Sequence, residues 1–379
     1  GGLLEEAPPA PKVLAIYFPQ YHPIPENDRF WGANFTEWTL LRPFSAEGIR
    51  KPLSVEEGGL GYYDLTDKEV RRRQGEMARQ HGVYGFVYYH YWFNGPGVDV
   101  HKVMHRVPEL MLEDGEPGVP FMLSWANEPW TRRWDGEKSA ESMLLPQEYG
   151  NESEWQEHFE YLLPFFKHPR YIRVEGQPVF AIYRPGLLAQ KLEPMLKLWR
   201  ALALGSGLPG LHIVVTVGRF YRVEEERRWY GSGLLDAALH FVAADRCCWE
   251  EAETRGSGGK GRGPAKRPVA TGADAPFVEQ PAQYWGAFTG FDRRTRGGKL
   301  RPQDVVTPLE FESALGASFA GMARHPERDV PDNLYFVAAW NEWNEQNILE
   351  PDDTYRFQLL EALKRSLENI SMRVPPLSR

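Results

Sequence analysis

Short apolar runs alternate with amphipathic segments along almost the whole chain, and this alternation limits the fold more than any other feature. Eight runs rich in aliphatic and aromatic residues predict strands, at residues 13–18, 84–91, 120–125, 179–183, 211–217, 237–242, 284–291 and 334–340. Six segments between them have helical spacing, at residues 67–81, 102–113, 152–166, 187–204, 308–324 and 354–367. Strands that alternate with helices in this way predict parallel βα units.

Eight such units in a chain of 379 residues fit an α/β fold, a (β/α)8 TIM-type barrel with elaborated βα loops. A doubly wound sheet is the alternative. We expect residues 12–370 to form this single barrel, residues 1–11 to be a disordered tail or linker, and residues 371–379 to be a C-terminal tail. Residues 251–268, "EAETRGSGGKGRGPAKRP", have almost no apolar side chain to bury and predict a mobile insertion.

Composition excludes some functions and favours others. The formal net charge of −8 argues against a nucleic-acid partner, because phosphate binding needs a basic surface. The chain has 13 Trp, 17 Tyr and 20 Phe, and aromatic faces pack cores, stack on sugar rings or line small-molecule pockets. The two cysteines, Cys247 and Cys248, are neighbours, so we expect no disulfide framework.

The sequence gives little information on the compartment. The first residues include acids where a signal peptide needs bases, and no apolar run is long enough to span a membrane. Together with the missing disulfide framework, this slightly favours the cytoplasm and otherwise leaves the localisation unknown.

Polar and aromatic residues concentrate where the first, second, third and last predicted strands end, which is where barrels of this type carry reactive side chains. The candidate substrate-binding residues are Tyr17, Gln20, Tyr21, His22, Glu37, Trp38, Tyr89, His90, Tyr91, Trp92, Trp125, Asn127, Glu128, Trp130, Trp134, Trp340 and Asn341. Aromatic rings that stack on sugars are mixed there with amides and acids that bind hydroxyl groups. The alternative is that some of these tryptophans and histidines are buried packing residues.

The last predicted strand runs into residues 338–347, "AAWNEWNEQN", which contain the candidate catalytic residues Glu342 and Glu345. Glycoside hydrolysis commonly needs two carboxyl groups, one protonated and one ionised. Residues three apart share a face in a helical turn but not along a strand, so the chain must bend just after Trp343 for both glutamates to enter one cavity. Two acids in a partly dry site have their pKa values driven apart. The alternative is the first turn of a helix, where the dipole favours glutamate.

Six segments carry a resemblance to a known family: "YFPQYHPIPENDRFWGANFTEW", "LGYYDL", "GFVYYHYWFNG", "SWANEPWTRRWDG", "LLPFFKHPRYIRVEGQPVFAIYRP" and "AAWNEWNEQNILEPDDTY". Through them the chain from Lys12 to about Leu367 resembles the WbsX-like family of polysaccharide-biosynthesis proteins, described as glycosyltransferases. That family is similar in turn to glycoside hydrolase family 99, the endo-α-mannosidases, most clearly at "WNEWNE". The resemblance implies a (β/α)8 barrel, and a larger multidomain polysaccharide-processing protein is compatible with it.

For family 99 the resemblance implies retaining cleavage, in which one glutamate helps the substrate's own 2-hydroxyl group attack the anomeric carbon and a 1,2-anhydro sugar forms. Matched residue by residue, the base corresponds to Glu342 and the acid to Glu345. The family motif usually has His or Ala before the second glutamate and Gly after it, where this chain has Asn344 and Gln346. The surroundings of the acid therefore differ from the family pattern.

Three functions remain open. The first is a glycoside hydrolase or transglycosidase of endo-α-mannosidase-like type that cleaves an α-linked, mannose-like polysaccharide. The second is a glycosyltransferase in cell-surface polysaccharide or O-antigen biosynthesis, although no D-x-D motif for a metal-bound donor is present and Asp135-Gly136-Glu137 only comes near it. The third is a carbohydrate-binding barrel without activity. The ten histidines show no H-E-x-x-H or comparable spacing, so we expect no metal and no cofactor.

Overall fold

The computed structural model describes residues 10–95, 101–131, 143–217, 233–240, 282–298, 305–324 and 331–373. Eight parallel strands form its centre: β1 Lys12–Tyr17, β2 Val83–Trp92, β3 Phe121–Trp125, β4 Gln177–Ile182, β5 His212–Val217, β6 Ala237–His240, β7 Ala282–Phe288 and β8 Leu334–Ala338. Each strand pairs with the next, and β8 pairs back with β1, so the sheet closes on itself. The predicted (β/α)8 TIM-type barrel is confirmed, and all eight predicted strands are present.

Eight α-helices are described, most of them packed around the barrel. They are α1 Pro25–Trp31, α2 Glu37–Leu41, α3 Lys68–Gln80, α4 Arg106–Asp114, α5 Glu152–Lys167, α6 Leu192–Gly205, α7 Pro308–Arg324 and α8 Gln358–Arg373. Short 3-10 helices cover Pro185–Lys191, Arg294–Arg296, Pro331–Asn333 and Trp343–Glu345. Short strands at the barrel rims cover Lys102–Val103, Trp130–Thr131, Met143–Leu145, Arg173–Val174, Asn341–Glu342 and Asn347–Ile348.

The strands are buried on both faces, which explains why their sequences lack polar alternation. Every residue of β3, "FMLSW", and of β8, "LYFVA", is buried. One face of each parallel strand points into the barrel and the other contacts the helices, so both faces need apolar or aromatic side chains.

The helices begin where local side chains satisfy their free backbone N–H groups. The Asn151 side chain accepts hydrogen bonds from backbone N–H groups at the start of α5, and the Glu154 carboxylate accepts one from the backbone N–H of Asn151. Thr36 and Thr39 form the same reciprocal pair at α2. Because α2 lies in the long segment after β1, this cap fixes the helix that carries Glu37 and Trp38.

Helix boundaries differ from the predictions where local structure competes. The helix predicted at 354–367 begins only at Gln358, because Asp352 accepts the backbone N–H groups of Thr354 and Tyr355 in a turn. The helix predicted from residue 102 begins at Arg106, since Lys102–Val103 pairs with the end of β2. Helix α8 continues to Arg373, into the segment expected to be a tail.

The expected domain limits, 12–370, stay a prediction. The insertion predicted at 251–268 lies outside the described residues, and so does most of both expected tails. In the part of the chain that the structure describes, no helix is long and apolar enough to cross a membrane.

Candidate active site

The segment that carries Glu342 and Glu345 folds back on itself just beyond β8. The two-residue strand Asn341–Glu342 pairs antiparallel with Asn347–Ile348, and the 3-10 helix Trp343–Glu345 connects them. The bend expected after Trp343 therefore begins at that residue. A helical turn brings residues three apart onto one side, so it removes the opposite orientation that a continuous strand would impose.

Asn341 fixes this segment to the end of β1. Its side-chain carbonyl accepts the backbone N–H of Phe18 at 2.7 Å, and its amide group donates to the backbone carbonyl of Phe18 at 2.9 Å. The hydroxyl of Tyr21 donates to the backbone carbonyl of Asn341 and accepts the backbone N–H of Trp343 at 3.2 Å. The backbone on either side of Glu342 is thus held by residues that follow the first strand.

Arg296, from the 3-10 helix after β7, brings three carboxyl groups together. Its Nη2 atom lies 2.8 Å from Oε2 of Glu37 and 3.9 Å from Oε2 of Glu342. Its Nη1 atom lies 2.8 Å from Oε1 of Glu345. The arginine side chain is 3% exposed, so these contacts are formed with little water between them. The two glutamates of the sequence motif therefore share one buried guanidinium group.

The charges of this cluster act on one another strongly. Burial raises the pKa of Glu342 well above its ordinary value, and repulsion from Glu345 adds to this, while Arg296 opposes it. Burial alone would lower the pKa of Arg296, but the three glutamates outweigh it and raise that pKa, so the guanidinium stays charged. The burial of Glu342 and the acids beside it therefore disfavour its charged form.

Asn344 and Gln346, the two departures from the family motif, both have partners. Asn344 donates to the carboxylate of Glu37 and, at 2.7 Å, to its backbone carbonyl. Gln346 has φ of 53°, a backbone conformation that favours glycine. Its side chain accepts the backbone N–H of Arg50 at 2.7 Å and donates to the backbone carbonyl of Trp343 at 2.9 Å. These bonds hold a non-glycine residue in the left-handed conformation.

Tyrosines from β2 and from the end of β4 lie near the pair. Burial raises the pKa of Tyr89, and the charges of Tyr183 and Glu342 add to the rise. Burial likewise raises the pKa of Tyr91, with Glu342 as the next cause. The ring of Trp130 meets Tyr91 edge-on, with centroids 5.8 Å apart. Tyr89, Tyr91 and Trp130 thus form an aromatic group on the side of β2 that faces Glu342.

Several other predicted residues belong to the same cluster. Trp38 packs on Tyr21 with ring centroids 4.4 Å apart and on Trp343 at 5.9 Å. Its indole N–H donates to the backbone carbonyl of Tyr63 at 2.7 Å. Glu37, Tyr21 and Asn341 contact the segment of the glutamates directly, as described above.

Four predicted residues contact the helices around the barrel, and a fifth, Trp340, packs against a strand residue. His90 shares a 2.7 Å hydrogen bond with His158 of α5, and the ring of Trp92 stacks on the same histidine at 4.5 Å. Trp125 meets His158 edge-on at 4.9 Å. The Tyr17 hydroxyl donates to Gln74 of α3, and Trp340 packs against Phe86. His90, Trp92, Trp125 and Tyr17 therefore contact the helix layer, and we do not count these five residues as part of the cluster around Glu342 and Glu345.

The remaining predicted residues have other surroundings. Asn127 binds both backbone groups of Arg184, at 2.7 and 2.8 Å, and Glu128 forms an ion pair with the Arg184 side chain. Burial lowers the pKa of His22. Both side-chain amide atoms of the buried Gln20 have no hydrogen-bond partner among the described residues. Trp134 lies outside the described residues.

A further buried acid, Glu350, lies outside this cluster and binds the side chain of Trp343. Its carboxyl group accepts hydrogen bonds from the hydroxyl of Tyr63 at 2.7 Å, the amide of Gln74 at 2.7 Å and the indole N–H of Trp343 at 2.8 Å. Burial raises the pKa of Glu350 to about 7, although these donors act in the opposite direction. Trp343, which lies between the two motif glutamates, is thus anchored to a third.

Sequence reasoning missed Arg296, although a signal was present. The segment "DRRTR" at 292–296 directly follows the predicted strand at 284–291, the position where barrels of this type carry functional side chains. Among the described residues, no group of three or more His, Cys, Asp or Glu side chains is arranged to hold a metal ion.

The chain is similar to several known proteins. A family model described as "Glycosyltransferase WbsX" matches residues 13–363. Two curated relatives, both called "Uncharacterized protein WxcX" and from two strains of Xanthomonas campestris pv. campestris, are 30% identical over 375 residues. The match covers 96% of this chain and 50% of each relative, so the chain spans about half the length of the curated relatives it matches.

Solved structures share the fold. A GH99 endo-alpha-mannosidase from Bacteroides thetaiotaomicron in complex with bis-tris-propane has a TM-score of 0.54 at 12% identity, covering 96% of this chain and 98% of the other. A "Glycoside hydrolase-like protein" has a TM-score of 0.57 at 14% identity, covering 97% and 96%. At such low identity the likeness extends to the fold alone.

Proposed function

The chain belongs to the WbsX glycosyltransferase family, and we propose that it is a glycoside hydrolase or transglycosidase that cleaves an α-linked, mannose-like polysaccharide with retention. The family and the fold support the broader statement that it is a carbohydrate-active enzyme. The choice of hydrolysis, with Glu342 as the base and Glu345 as the acid, is our proposal.

One observation carries the proposal: Glu342 and Glu345 meet at one buried guanidinium group where the barrel strands end. Cleavage of a glycosidic bond needs one carboxyl group that holds a proton and one that is ionised. Burial and repulsion from Glu345 raise the pKa of Glu342, and a carboxylate with a raised pKa is a stronger general base near neutral pH. The resemblance to family 99 implies that Glu342 is the base and Glu345 the acid.

The rings near the pair suit a sugar substrate. Tyr91 and Trp130 are aromatic side chains at the ends of β2 and of the strand that follows β3. Trp130 is half-buried and has a polar N–H, so it combines a stacking face with a hydrogen-bond donor. We propose that the pyranose ring stacks against this surface while its hydroxyl groups face the carboxyl groups.

The test replaces each glutamate in turn. Glu342→Gln and Glu345→Gln keep the size of the side chain and remove the ionisable group. We expect each to lower turnover of α-mannosyl oligosaccharides by about 10²–10⁴-fold, with the thermal unfolding midpoint near that of the wild type. Glu56→Gln, at an exposed position, is the matched control and should keep full activity. Near-normal turnover in either motif variant contradicts the proposal.

Stereochemistry gives an independent check on the same preparation. The anomer released first, followed by proton NMR before mutarotation, should have the α configuration of the substrate. Release of the β anomer first would exclude retention and leave an inverting hydrolase.

The family name supports a second candidate, a glycosyltransferase in cell-surface polysaccharide or O-antigen biosynthesis. A transferase needs an activated donor, so titration calorimetry against a panel of nucleotide sugars separates the two functions. Saturable binding of one donor, together with transfer to an acceptor glycan, would favour the transferase. Absence of binding across the panel, with hydrolysis observed, would favour the hydrolase.

We also propose that the barrel acts within a larger polysaccharide-processing protein. The support is that the match covers only 50% of each curated relative. The compartment in which it acts stays open.

A further inference from the structure

Glu350 is a buried acid that the proposed reaction does not use. It lies two residues beyond the short strand Asn347–Ile348, which closes the turn of Glu342 and Glu345. The residue is 1% exposed, and both oxygens of its carboxyl group accept hydrogen bonds. A buried carboxyl group is costly, so the fold accepts it only with several donors in place.

One oxygen of Glu350 holds the residue that follows Glu342. Oε2 accepts the indole N–H of Trp343 at 2.8 Å. An indole N–H group can only donate, and because Trp343 is buried, water is no easy substitute for this acceptor. The bond therefore fixes the first residue of the 3-10 helix that joins the two glutamates.

The same oxygen holds the residue that precedes Glu342, through Tyr63. The hydroxyl of Tyr63 donates to Oε2 of Glu350 at 2.7 Å and lies 3.4 Å from the side-chain amide nitrogen of Asn341. That amide faces Tyr63 with its N–H group, since its oxygen accepts the backbone N–H of Phe18. The Tyr63 hydroxyl thus accepts from Asn341 and directs its own proton to Glu350.

We propose that Glu350 is a positioning residue for the base, Glu342: one carboxyl oxygen holds both chain neighbours of Glu342 and so sets the direction of its side chain. The inference rests on the proposed function, because it concerns the residue assigned there as the base. The acceptor oxygen carries this role, since Trp343 and Tyr63 both donate to it. A misplacement of about 1 Å can lower the rate of a reaction by about 10²-fold.

The pKa values of three phenols on or near β1 and before α3 respond to the charge of Glu350: Tyr17, Tyr21 and Tyr63. Burial raises the pKa of all three, so these phenols are neutral near pH 7. The charge of Arg71 on α3 also acts on Tyr17, and its guanidinium group pairs with Asp114. Burial raises the pKa of Glu350 to about 7. A change of charge at this bond near pH 7 is therefore that of Glu350.

The first test observes the turn without a substrate. Protein labelled with nitrogen-15 in tryptophan gives one backbone and one indole N–H signal for each tryptophan, and the two signals of Trp343 are identified by their loss in Trp343→Phe. In the wild type, the indole signal of Trp343 should shift with pH around a midpoint of about 7, as Glu350 ionises. In Glu350→Gln the shift should vanish. A wild-type signal that does not move, or one that still moves in Glu350→Gln, overturns the proposal.

Hydrogen exchange of the same labels tests the positioning itself. The backbone N–H of Trp343 donates to the hydroxyl of Tyr21 at 3.2 Å, so its exchange reports how firmly the turn is held. In Glu350→Leu, which lacks the acceptor oxygen, both N–H groups of Trp343 should exchange about 10-fold faster than in the wild type. In Glu350→Gln, which keeps an acceptor oxygen, they should exchange as slowly as in the wild type. Unchanged exchange of the backbone N–H in Glu350→Leu overturns the proposal.

Asp236→Leu is the matched control. Asp236 lies directly before β6, at the opposite end of the barrel, and its carboxyl group accepts hydrogen bonds from Arg200 and from the backbone N–H of Ile213, both at 2.7 Å. This variant also removes a hydrogen-bonded acid, and the exchange of Trp343 should stay as in the wild type. Faster exchange by the same factor as in Glu350→Leu would reflect general destabilisation and overturns the proposal.

Kinetics test the same role in turnover. Glu350→Leu should lower kcat for α-mannosyl oligosaccharides by about 10²-fold with little change in KM, because the base moves while the sugar-binding rings stay in place. Glu350→Gln should recover most of this loss, and Asp236→Leu should keep the wild-type kcat. A raised KM with an unchanged kcat in Glu350→Leu overturns the proposal.

Glu350→Leu leaves three buried donors without an acceptor, so this variant could fail to fold. Tyr63→Phe removes only the link to Asn341 and should also speed exchange of the Trp343 backbone N–H; exchange as slow as in the wild type overturns the proposal. The outcomes are separable from those of the proposed function. The expected exchange pattern with no turnover of any glycan rejects only the hydrolase, whereas turnover with wild-type exchange in Glu350→Leu rejects only the role of Glu350.

Discussion

Glu350 contributes to the pH dependence of the free energy of unfolding, and Glu350→Gln should remove this contribution. Burial raises the pKa of Glu350 to about 7, against an ordinary value of 4.5. The folded protein therefore binds this proton more tightly than the unfolded chain. Its contribution is fully present below pH 4.5 and is lost as the pH rises towards 7, and it amounts to ~3 kcal/mol.

The assay is urea unfolding at steps from pH 4.5 to pH 8. Buried histidines act in the opposite direction: burial lowers the pKa of His90 to about 3, so its contribution is present above pH 6.5 and is lost as the pH falls. The histidines are the same in wild type and variant, so their contributions cancel in the difference between the two free energies of unfolding. We expect the free energy of unfolding of Glu350→Gln, relative to wild type, to rise by ~3 kcal/mol between pH 4.5 and pH 8.

The exposed Glu56→Gln serves as control, and its difference from wild type should stay flat. The glutamine can keep the bonds to Tyr63 and Trp343 through its carbonyl oxygen, with Gln74 turning its amide to match. A difference between wild type and Glu350→Gln that changes by less than about 0.5 kcal/mol over the range would refute a buried, proton-binding Glu350.

Two further substitutions test other parts of the structure. Arg71→Met should lower the free energy of unfolding by about 3 kcal/mol, because the fully buried guanidinium pairs with Asp114 through two hydrogen bonds of 2.9 and 2.7 Å. Most of this loss comes from the unpaired Asp114, so a double variant with Asp114→Asn that is no more stable than Arg71→Met would contradict the explanation. Gln346→Gly should lower the free energy of unfolding by roughly 1 kcal/mol, since the three lost side-chain hydrogen bonds outweigh the relief at φ of 53°. A glycine variant that melts above the wild type would show that backbone strain dominates.

Most of the architecture could be predicted because hydrophobic patterning acts locally. The eight apolar runs had to be buried on both faces, which a parallel sheet covered by helices achieves, and the number of eight favoured its closed form, the barrel, over a doubly wound sheet. The orientation of individual side chains was less accessible. In β2, "VYGFVYYHYW", nearly every position is apolar or aromatic. Successive side chains point to opposite faces of the sheet, but this sequence does not show which of them point into the barrel. Tyr89 and Tyr91 lie near the glutamates, while His90 and Trp92 contact α5.

The glutamate motif stood out because it places two acids among tryptophans, a pattern unusual for a strand end. Arg296 did not stand out, because arginines in a loop are ordinarily solvated and its burial results from Glu37, far away in the sequence. A contact between residues 259 positions apart cannot be read from local composition. Glu350 was missed for the same reason: its partners Tyr63 and Gln74 come from the other end of the chain.

The double hydrogen bond between Asn341 and the backbone of Phe18 also bears on when the protein becomes competent during its synthesis. The ribosome makes Asn341 more than three hundred residues after Phe18. Until then β8 has no connected Asn341 beyond it, and the backbone N–H and carbonyl groups of Phe18 lack the side-chain amide that binds them. Whatever part of the chain folds before then, the segment that carries the two glutamates can be fixed to the end of β1 in this way only after Asn341 has been added.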